Sequence, residues 1–282
     1  MKITLLCSNS SHPVYSYLSD WRNDNKTKYE IQLINRIGEV KDKGDILFLI
    51  SCSEIIKAKH RDKFRYTLVL HASDLPEGRG WSPHIWDIAN GSNELTLSLL
   101  NAEDSVDTGD IWQKKKIKLT GSELYDEIND LLFNAELALI SWACENIDNA
   151  EALPQVKINN IINYYRQRTP NDSELDPEYS ISSQLNLLRV CDPNRYPAYF
   201  YQNGQKYLVT LFNAKSSLIS RAYKQIDSAE ALPLLKIDDS ELDPESSISS
   251  QINVLKMCDL NGFAAYFCHN GQKFTVTVIR EN

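Results

Sequence analysis

The sequence of 282 residues contains no long hydrophobic run. No window approaches the ~18 consecutive apolar residues that indicate a membrane-spanning helix. The amino-terminal residues carry a single lysine before a short apolar run and lack a small-residue cleavage signature, so they do not resemble a secretion signal. We therefore expect a cytoplasmic protein without a membrane partner.

The sequence has fewer basic than acidic residues. The chain has 30 Lys and Arg residues against 38 Asp and Glu residues, and its formal net charge is -8. Binding to a nucleic-acid backbone needs clustered Lys and Arg, because phosphate contacts release counterions. The charge balance predicts that nucleic acid is not a partner.

The cysteines lack the spacing of metal sites and redox motifs. Neither a C-x-x-C pair nor a Cys/His pair with zinc-finger spacing occurs. We expect free thiols and no metal at the six cysteines, which are Cys7, Cys52, Cys144, Cys191, Cys258 and Cys268.

Glycine is missing where dinucleotide-binding folds use it. No G-x-G-x-x-G follows the first apolar run, and the residues there read CSNSSHP. The usual dinucleotide fingerprint is therefore excluded. Ser8, Asn9 and Ser11 could receive a phosphate on backbone N–H groups ahead of a helix, or they could form only a turn and an N-cap.

The amino-terminal half alternates β-rich runs with amphipathic stretches. Its apolar runs are KITLLC, YEIQLIN, DILFLIS and TLVLHAS, and a long helical pattern extends from Glu123 to Ile147. Strands alternating with helices predict an α/β domain with a Rossmann-like, mainly parallel sheet, which we assign to residues 1–160. In such sheets the functional residues follow the carboxyl ends of the strands.

The carboxyl-terminal part repeats itself. Residues 171–210 return as residues 238–277, with 26 of 40 aligned positions identical. Each copy predicts a short helix and a hairpin with a type I′ Asn-Gly turn, so we expect a small duplicated α+β region with modules at 161–215 and 216–282. Its apolar residues could mediate a homodimer, but burial within the modules is favoured for Tyr199, Phe200, Tyr266 and Phe267.

Two segments of the first domain carry residues suited to acyl transfer. His71 ends a predicted strand ahead of a loop with Gly78 and Gly80, and Asp107 lies in a polar loop between two later strands. A carboxylate orients an imidazole as a hydrogen-bond donor to a developing oxyanion. On residue types alone, such a pair is more often structural than catalytic.

The sequences of these segments resemble those of the formyltransferase family that uses N10-formyltetrahydrofolate. Members carry H-x-S-x-L-P, then an R-G-x-x-P loop, and downstream D-T-G-D; the matching residues here are His71, Ser73, Leu75, Pro76, Arg79, Gly80, Pro83 and Asp107 to Asp110. The resemblance implies the formyltransferase fold, catalysis by His71 and Asp107, no metal, and N10-formyltetrahydrofolate as co-substrate.

The resemblance also implies two groups of binding residues. Folate is expected near Ser53, Glu54, Ile55, Pro76, Trp81, Asn101, Glu103, Asp104 and Ser105. The acceptor is expected near Ser8, Asn9, Ser11, Ser73, Arg79, Gly80 and Arg166. Core packing is the alternative for Trp81, and pinning of the linker is the alternative for Arg166.

The sequence departs from the family at one position. Val69 stands where members usually carry an asparagine, two residues before the catalytic histidine. Loss of one oxyanion donor typically costs about 100-fold to 1000-fold in rate. Ser73, Asn101 or a backbone N–H could replace it, or His71 could act alone. The departure also leaves open a non-catalytic protein that binds folate or a sugar nucleotide.

A second resemblance concerns the acceptor. The segment YYRQRTPNDSELD, from Tyr164 to Asp176, is similar to the segment that follows the catalytic domain in formyltransferases acting on amino sugars. It implies formyl transfer to a nucleotide-linked amino-deoxy sugar. The segment HASDLPEGRGWSPHIW, from His71 to Trp86, resembles a branch associated with 4-amino-sugar formylation in surface-glycan biosynthesis, including the pseudaminic-acid type. Methionyl-tRNA and a carrier-bound amino acid are the alternative acceptors.

Overall fold

The computed structural model describes residues 1–156, 164–213, 241–255 and 265–281. The chain divides into two compact units: the first comprises Met1–Asp87, Ser92–Leu119 and Asp126–Gln167, and the second Ile88–Gly91, Thr120–Tyr125 and Arg168–Asn282. The predicted domain boundaries after residues 160 and 215 lie outside the described residues, as does Cys258. The five described cysteines are free thiols.

Eight strands are described in the first unit. They are β1 (Lys2–Leu6), β2 (Glu30–Ile34), β3 (Gly44–Leu49), β4 (Phe64–His71), β5 (Arg79–Gly80), β6 (Glu94–Asn101), β7 (Ile111–Lys118) and β8 (Tyr164–Tyr165). Six of these strands form one sheet in the order β2-β1-β3-β4-β6-β7, and β5 pairs with β8 in a short parallel ladder.

The first four strands run parallel, as the sequence predicts. The inner strands are apolar almost throughout, and the side chains of Ile3, Leu5, Ile46 and Phe48 are fully buried. Continuous burial of this kind fits parallel strands covered on both faces. Strands β6 and β7 instead extend the sheet as an antiparallel hairpin beside β4.

Four helices are described in the first unit or at its edge: α1 (Val14–Asn25), α2 (Ala58–Arg61), α3 (Pro83–Ala89) and α4 (Tyr125–Asn146). Helix α4 confirms the helical pattern predicted for residues 123–147. It contacts α1 through an edge-to-face pair of Tyr17 and Phe133 and through a 3.0 Å hydrogen bond from Trp21 Nε1 to Ser141 Oγ. Among the described residues, no helix is long and apolar enough to span a bilayer.

The second unit contains α5 (Leu185–Arg189) and strands β9 (Ala198–Gln202), β10 (Gln205–Asn213), β11 (Ala265–His269) and β12 (Gln272–Arg280). These strands form an antiparallel sheet in the order β11-β12-β10-β9. The predicted type I′ turns are confirmed, because both residues of each Asn-Gly pair have positive φ: 52° and 75° at Asn203 and Gly204, and 49° and 75° at Asn270 and Gly271.

The aromatic residues of the repeats are mainly interior. Phe200 and Phe267 are fully buried and Tyr199 is 5% exposed, while Tyr266 is half-buried. The predicted burial is therefore confirmed for Tyr199, Phe200 and Phe267.

Candidate active site

His71 is the last residue of β4, and its side chain is 9% exposed. Its Nε2 lies 2.9 Å from the carbonyl oxygen of Gly78, and its Nδ1 lies 3.5 Å from Oδ1 of Asp107. The structure thus brings together the two residues that the sequence suggested as a pair. Both ring nitrogens face an oxygen atom, so the ring plane is fixed.

Asp107 reaches His71 from the loop between β6 and β7. Its backbone is left-handed, with φ of 55°, and its side chain is only 7% exposed. The second carboxylate oxygen, Oδ2, accepts a 3.1 Å hydrogen bond from the N–H of Gly80. One carboxylate therefore contacts both the histidine and the R-G loop.

Gly109 is required for this loop to close. A Cβ at this position would lie 2.0 Å from the carbonyl oxygen of Asn101. That separation is far below van der Waals contact, so any side chain would displace the loop that carries Asp107.

Lys114 on β7 fixes the segment that follows His71. Its Nζ donates hydrogen bonds to Oδ1 of Asp74 and, at 2.6 Å, to the carbonyl oxygen of Leu75. Leu75 precedes Pro76 through a cis peptide bond. Sequence reasoning missed Lys114, because three consecutive lysines at 114–116 look like a solvated strand face.

Gln155 connects the two motif loops and was also missed. Its Nε2 donates 2.9 Å hydrogen bonds to the carbonyl oxygens of Asp107 and Gly109, and its Oε1 accepts a 2.8 Å bond from Nη2 of Arg79. Residue 155 is 48 positions from Asp107, so neither residue type nor local spacing signals this role.

Ser73 is one of the residues suggested to replace the missing asparagine. It is 3% exposed, and its Oγ has no hydrogen-bond partner among the described residues. A buried hydroxyl without a partner costs free energy, which a bound oxygen would recover. Asn101 Oδ1 accepts a 2.7 Å bond from Trp112 Nε1, which orients the side-chain amide.

The candidate folate residues differ in exposure. Ile55 and Trp81 are 70% and 44% exposed, so their apolar surfaces are open to a ligand. Glu103, Asp104 and Ser105 form an exposed part of the β6–β7 loop. Asp104 Oδ1 accepts a 2.8 Å hydrogen bond from Arg61 Nη2, and this ion pair connects the loop to α2.

Hydrogen bonds between polar residues join the segments that follow β1 and β3. The N–H of Ser53 donates a 3.0 Å bond to Ser8 Oγ, while Glu54 Oε1 accepts from the N–H of Ile37. Asn9 Oδ1 accepts a 2.9 Å bond from the N–H of Ser11, which confirms the turn.

The suggested Ser/Asn cap of α1 is wrong. Pro13 is the N-cap residue, and the N–H of Val14 donates to Nδ1 of His12 at 3.2 Å. Histidine thus satisfies the helix N–H, which leaves the Ser8 and Ser11 side chains outside the cap.

Arg166 belongs to an aromatic cluster at the end of the first unit. Its guanidinium lies 4.9 Å from the ring centre of Trp86, which stacks on Tyr165 at 6.1 Å with an interplanar angle of 8°. Tyr165 donates a 2.6 Å hydrogen bond to Asp87, and burial together with this bond raises the pKa of Tyr165 to about 12. Arg166 and Trp86 offer a flat, cationic surface.

A buried carboxyl lies close to the end of β1. Glu136 on α4 is 6% exposed, and burial raises the pKa of Glu136 to about 8. Burial also raises the pKa of the Cys7 thiol, with the Glu136 charge as a smaller contribution. Sequence reasoning did not mark Glu136, because an acidic residue inside an amphipathic pattern looks like part of its polar face.

Comparison with known proteins assigns the class of the first unit. Residues 5–143, about half of the chain, match the family model described as formyl transferase. The first unit therefore carries a formyl transferase domain, and the fold implied by the sequence motifs is confirmed.

Among individual relatives, the chain is 27% identical over 169 residues to a methionyl-tRNA formyltransferase of Clostridium beijerinckii, which covers 60% of this chain and 54% of that protein. The chain thus spans about half the length of this curated relative. A 4-N formyltransferase from Francisella tularensis matches the structure with a TM-score of 0.54 and 19% identity, over 73% of this chain and 94% of that one. HypX from Aquifex aeolicus in complex with tetrahydrofolic acid matches with a TM-score of 0.64 and 14% identity, over 100% of this chain and 44% of that one.

Proposed function

We propose that this protein transfers a formyl group from N10-formyltetrahydrofolate to the amino group of a nucleotide-linked amino-deoxy sugar. The observation that carries the proposal is the buried contact between His71 and Asp107, with Asp107 also bound to the N–H of Gly80. Support for the folate comes from the formyl transferase match and from the neighbour crystallised with tetrahydrofolic acid.

In the proposed reaction, the acceptor nitrogen forms a bond to the formyl carbon, and the bond from that carbon to N10 breaks. The acceptor nitrogen loses a proton and N10 gains one, so the atoms balance. Asp107 orients His71 and helps to receive the proton of the amine. His71 stabilises the negative charge that develops on the formyl oxygen.

The contacts of His71 define what substrate binding must change. Nε2 faces Gly78 O, so a formyl oxygen must take the place of that carbonyl before the ring can stabilise it. Catalytic hydrogen bonds commonly reach their final geometry only in the substrate complex. Ser73 Oγ, which has no partner among the described residues, lies beside Gly78, since a Cβ added there would lie 3.4 Å from it, and it supplies a second donor at this site.

Charge favours a sugar over tRNA as the acceptor. From residue 168 onward, the sequence contains 11 Lys and Arg residues against 14 Asp and Glu residues. An RNA-binding tail needs an excess of Lys and Arg to neutralise phosphates. The exposed Arg166 guanidinium, which lies over the half-buried Trp86 ring, suits a nucleotide, because a base can stack on a guanidinium plane and a phosphate can pair with its charge.

The test is mass spectrometry of acceptors after incubation with the protein and N10-formyltetrahydrofolate. The panel contains UDP- and TDP-linked 3-amino and 4-amino-6-deoxy sugars, together with methionyl-tRNA because the curated relative is named for it. We expect a folate-dependent gain of one formyl group on a sugar nucleotide. His71→Ala and Asp107→Asn should each abolish most of it, whereas His269→Asn in the second unit should not.

Each other result identifies a competing function. Formylation of methionyl-tRNA alone would replace the sugar acceptor. Binding of folate or sugar nucleotide without any formyl transfer would indicate the non-catalytic protein that Val69 leaves open. Normal rates in both the His71→Ala and Asp107→Asn variants would refute the mechanism.

A further inference from the structure

The two copies of the repeat pair with each other symmetrically. Equivalent residues of the copies are 67 positions apart in the sequence. In the ladder between β10 and β12, Thr210 pairs with its own equivalent, Thr277. Tyr207 pairs with Arg280, the equivalent of Asn213, and Asn213 pairs with Phe274, the equivalent of Tyr207. A two-fold axis therefore passes between Thr210 and Thr277.

The turns that precede the short helices repeat this reciprocity. The N–H of Ser182 donates a 2.9 Å bond to Pro244 O, and the N–H of Ser249, the equivalent of Ser182, donates a 2.7 Å bond to Pro177 O, the equivalent of Pro244. Ser180 forms a bridge with its own equivalent, Ser247. Two separate segments thus obey the same two-fold operation.

Each copy has the same internal structure. Leu175 N–H donates a 2.7 Å bond to Tyr199 O, and Leu242 N–H donates a 2.7 Å bond to Tyr266 O. The stacked aromatic pairs are also equivalent, with centroid distances of 5.3 Å for Phe200 with Tyr207 and 5.3 Å for Phe267 with Phe274. The copies are therefore two instances of one folded module.

Neither copy alone would bury this core. One apolar cluster takes side chains from both modules: Leu175, Ile181, Leu185, Leu188, Phe200 and Val209 from the first, and Leu242, Ile248, Leu255, Phe267, Val276 and Val278 from the second. A reciprocal contact in which i meets j and j meets i is the isologous interface of two-fold homodimers. Its apolar interior is also typical of permanent subunit contacts.

We propose that the second module occupies, within one chain, the place of an identical subunit. The first module carries a self-complementary face along β10, and its natural partner is a second copy of itself. In this protein that face is covered in cis, so β10 is not available to another chain. A chain whose second module is displaced should pair through β10 with another chain.

The first experiment uses the full chain with Cys268→Ser, which removes an exposed thiol. Opposed residues on antiparallel strands have Cα atoms about 4.5 to 5.5 Å apart, within the range that a disulfide bridges. Thr210→Cys with Thr277→Cys should form a disulfide within one chain, seen by peptide mapping of a species with monomer mass. The control pair Leu208→Cys with Thr277→Cys is offset by two residues and should not. A 210–277 link between chains, or no link at all, would overturn the proposal.

The second experiment displaces the second module. Val276→Asp with Val278→Asp places two charges in the apolar cluster, where these residues are 2% and 3% exposed. In this background, Thr210→Cys should crosslink two chains, because residue 210 meets its own copy on the two-fold axis. Leu208→Cys should not, because it would face residue 212 of the other chain. A monomer without the 210 link counts against the proposal, and so does aggregation that crosslinks both positions.

Discussion

The side chain of Gln155 forms hydrogen bonds with the backbone carbonyls of Asp107 and Gly109 and with Nη2 of Arg79. If those bonds position Asp107, Gln155→Leu should lower kcat about 100-fold, because small displacements of a catalytic group are costly. KM for N10-formyltetrahydrofolate and the melting temperature should change little. Steady-state kinetics and thermal unfolding provide the measurements.

Gln155→Glu distinguishes which bond matters. It keeps the acceptor for Arg79 Nη2 and loses the donor to the Asp107 and Gly109 carbonyls. A rate like that of the leucine variant would assign the effect to the two carbonyls. A wild-type rate in both variants would show that Gln155 has no positioning role.

Glu136 should make stability depend on pH. Its folded pKa of about 8 lies above the usual 4.5, so the native state keeps a proton that the unfolded chain releases between these values. Its contribution is therefore fully present below about pH 4.5 and is lost as pH rises towards 8. The loss can reach about 5 kcal/mol, since each pKa unit corresponds to about 1.4 kcal/mol.

Glu136→Gln should remove this loss. Thermal unfolding of the variant and the parent from pH 5 to pH 9 should give nearly equal midpoints at the acid end. The difference in stability between the variant and the parent should grow as pH rises to about 8, because the parent loses stability over this range. Above that pH the difference should stay constant. Parallel curves across the whole range would show that Glu136 is ionised in the folded state as well as in the unfolded chain, and that burial does not raise its pKa.

At the scale of elements, the β6–β7 hairpin determines whether the catalytic pair forms. Gly109→Ala should reduce turnover more than 100-fold while much of the fold remains, because the new Cβ would overlap Asn101 O and displace Asp107. Gly38→Ala is the matched control, since a Cβ there meets nothing within 4 Å. Turnover and circular dichroism check both variants, and equal activity would contradict the proposed role of the loop.

The elements that the sequence predicts are those with a strong local signal. Strands β1, β3 and β4 have mostly apolar runs, β2 alternates polar and apolar residues, α4 has helical periodicity, and each hairpin has an Asn-Gly pair. The antiparallel direction of β6 has no such signal, because it depends on which neighbour the strand meets. His71 and Asp107 lie in local sequence motifs, so the sequence identifies them. Lys114 and Gln155 act through contacts with residues distant in sequence, which no local pattern indicates.

For the whole molecule, the net charge of -8 leads to a prediction about RNA. Bulk tRNA at physiological salt should neither bind the protein measurably nor inhibit formylation of a sugar nucleotide. Filter binding and inhibition assays at two salt concentrations test this. Binding that weakens steeply with added salt would reveal a local basic surface and would favour the tRNA acceptor.

The reciprocal pairing of the two modules changes how the protein can evolve and how dilution affects it. Two separate subunits dissociate as their concentration falls, whereas tethered partners keep a constant effective concentration, about millimolar for short flexible linkers. The interface in this chain therefore persists at any abundance in the cell. A substitution in a homodimer also alters both faces at once, but here each face mutates alone. The pairs Tyr207 with Phe274 and Tyr179 with Ser246 show that this divergence has begun.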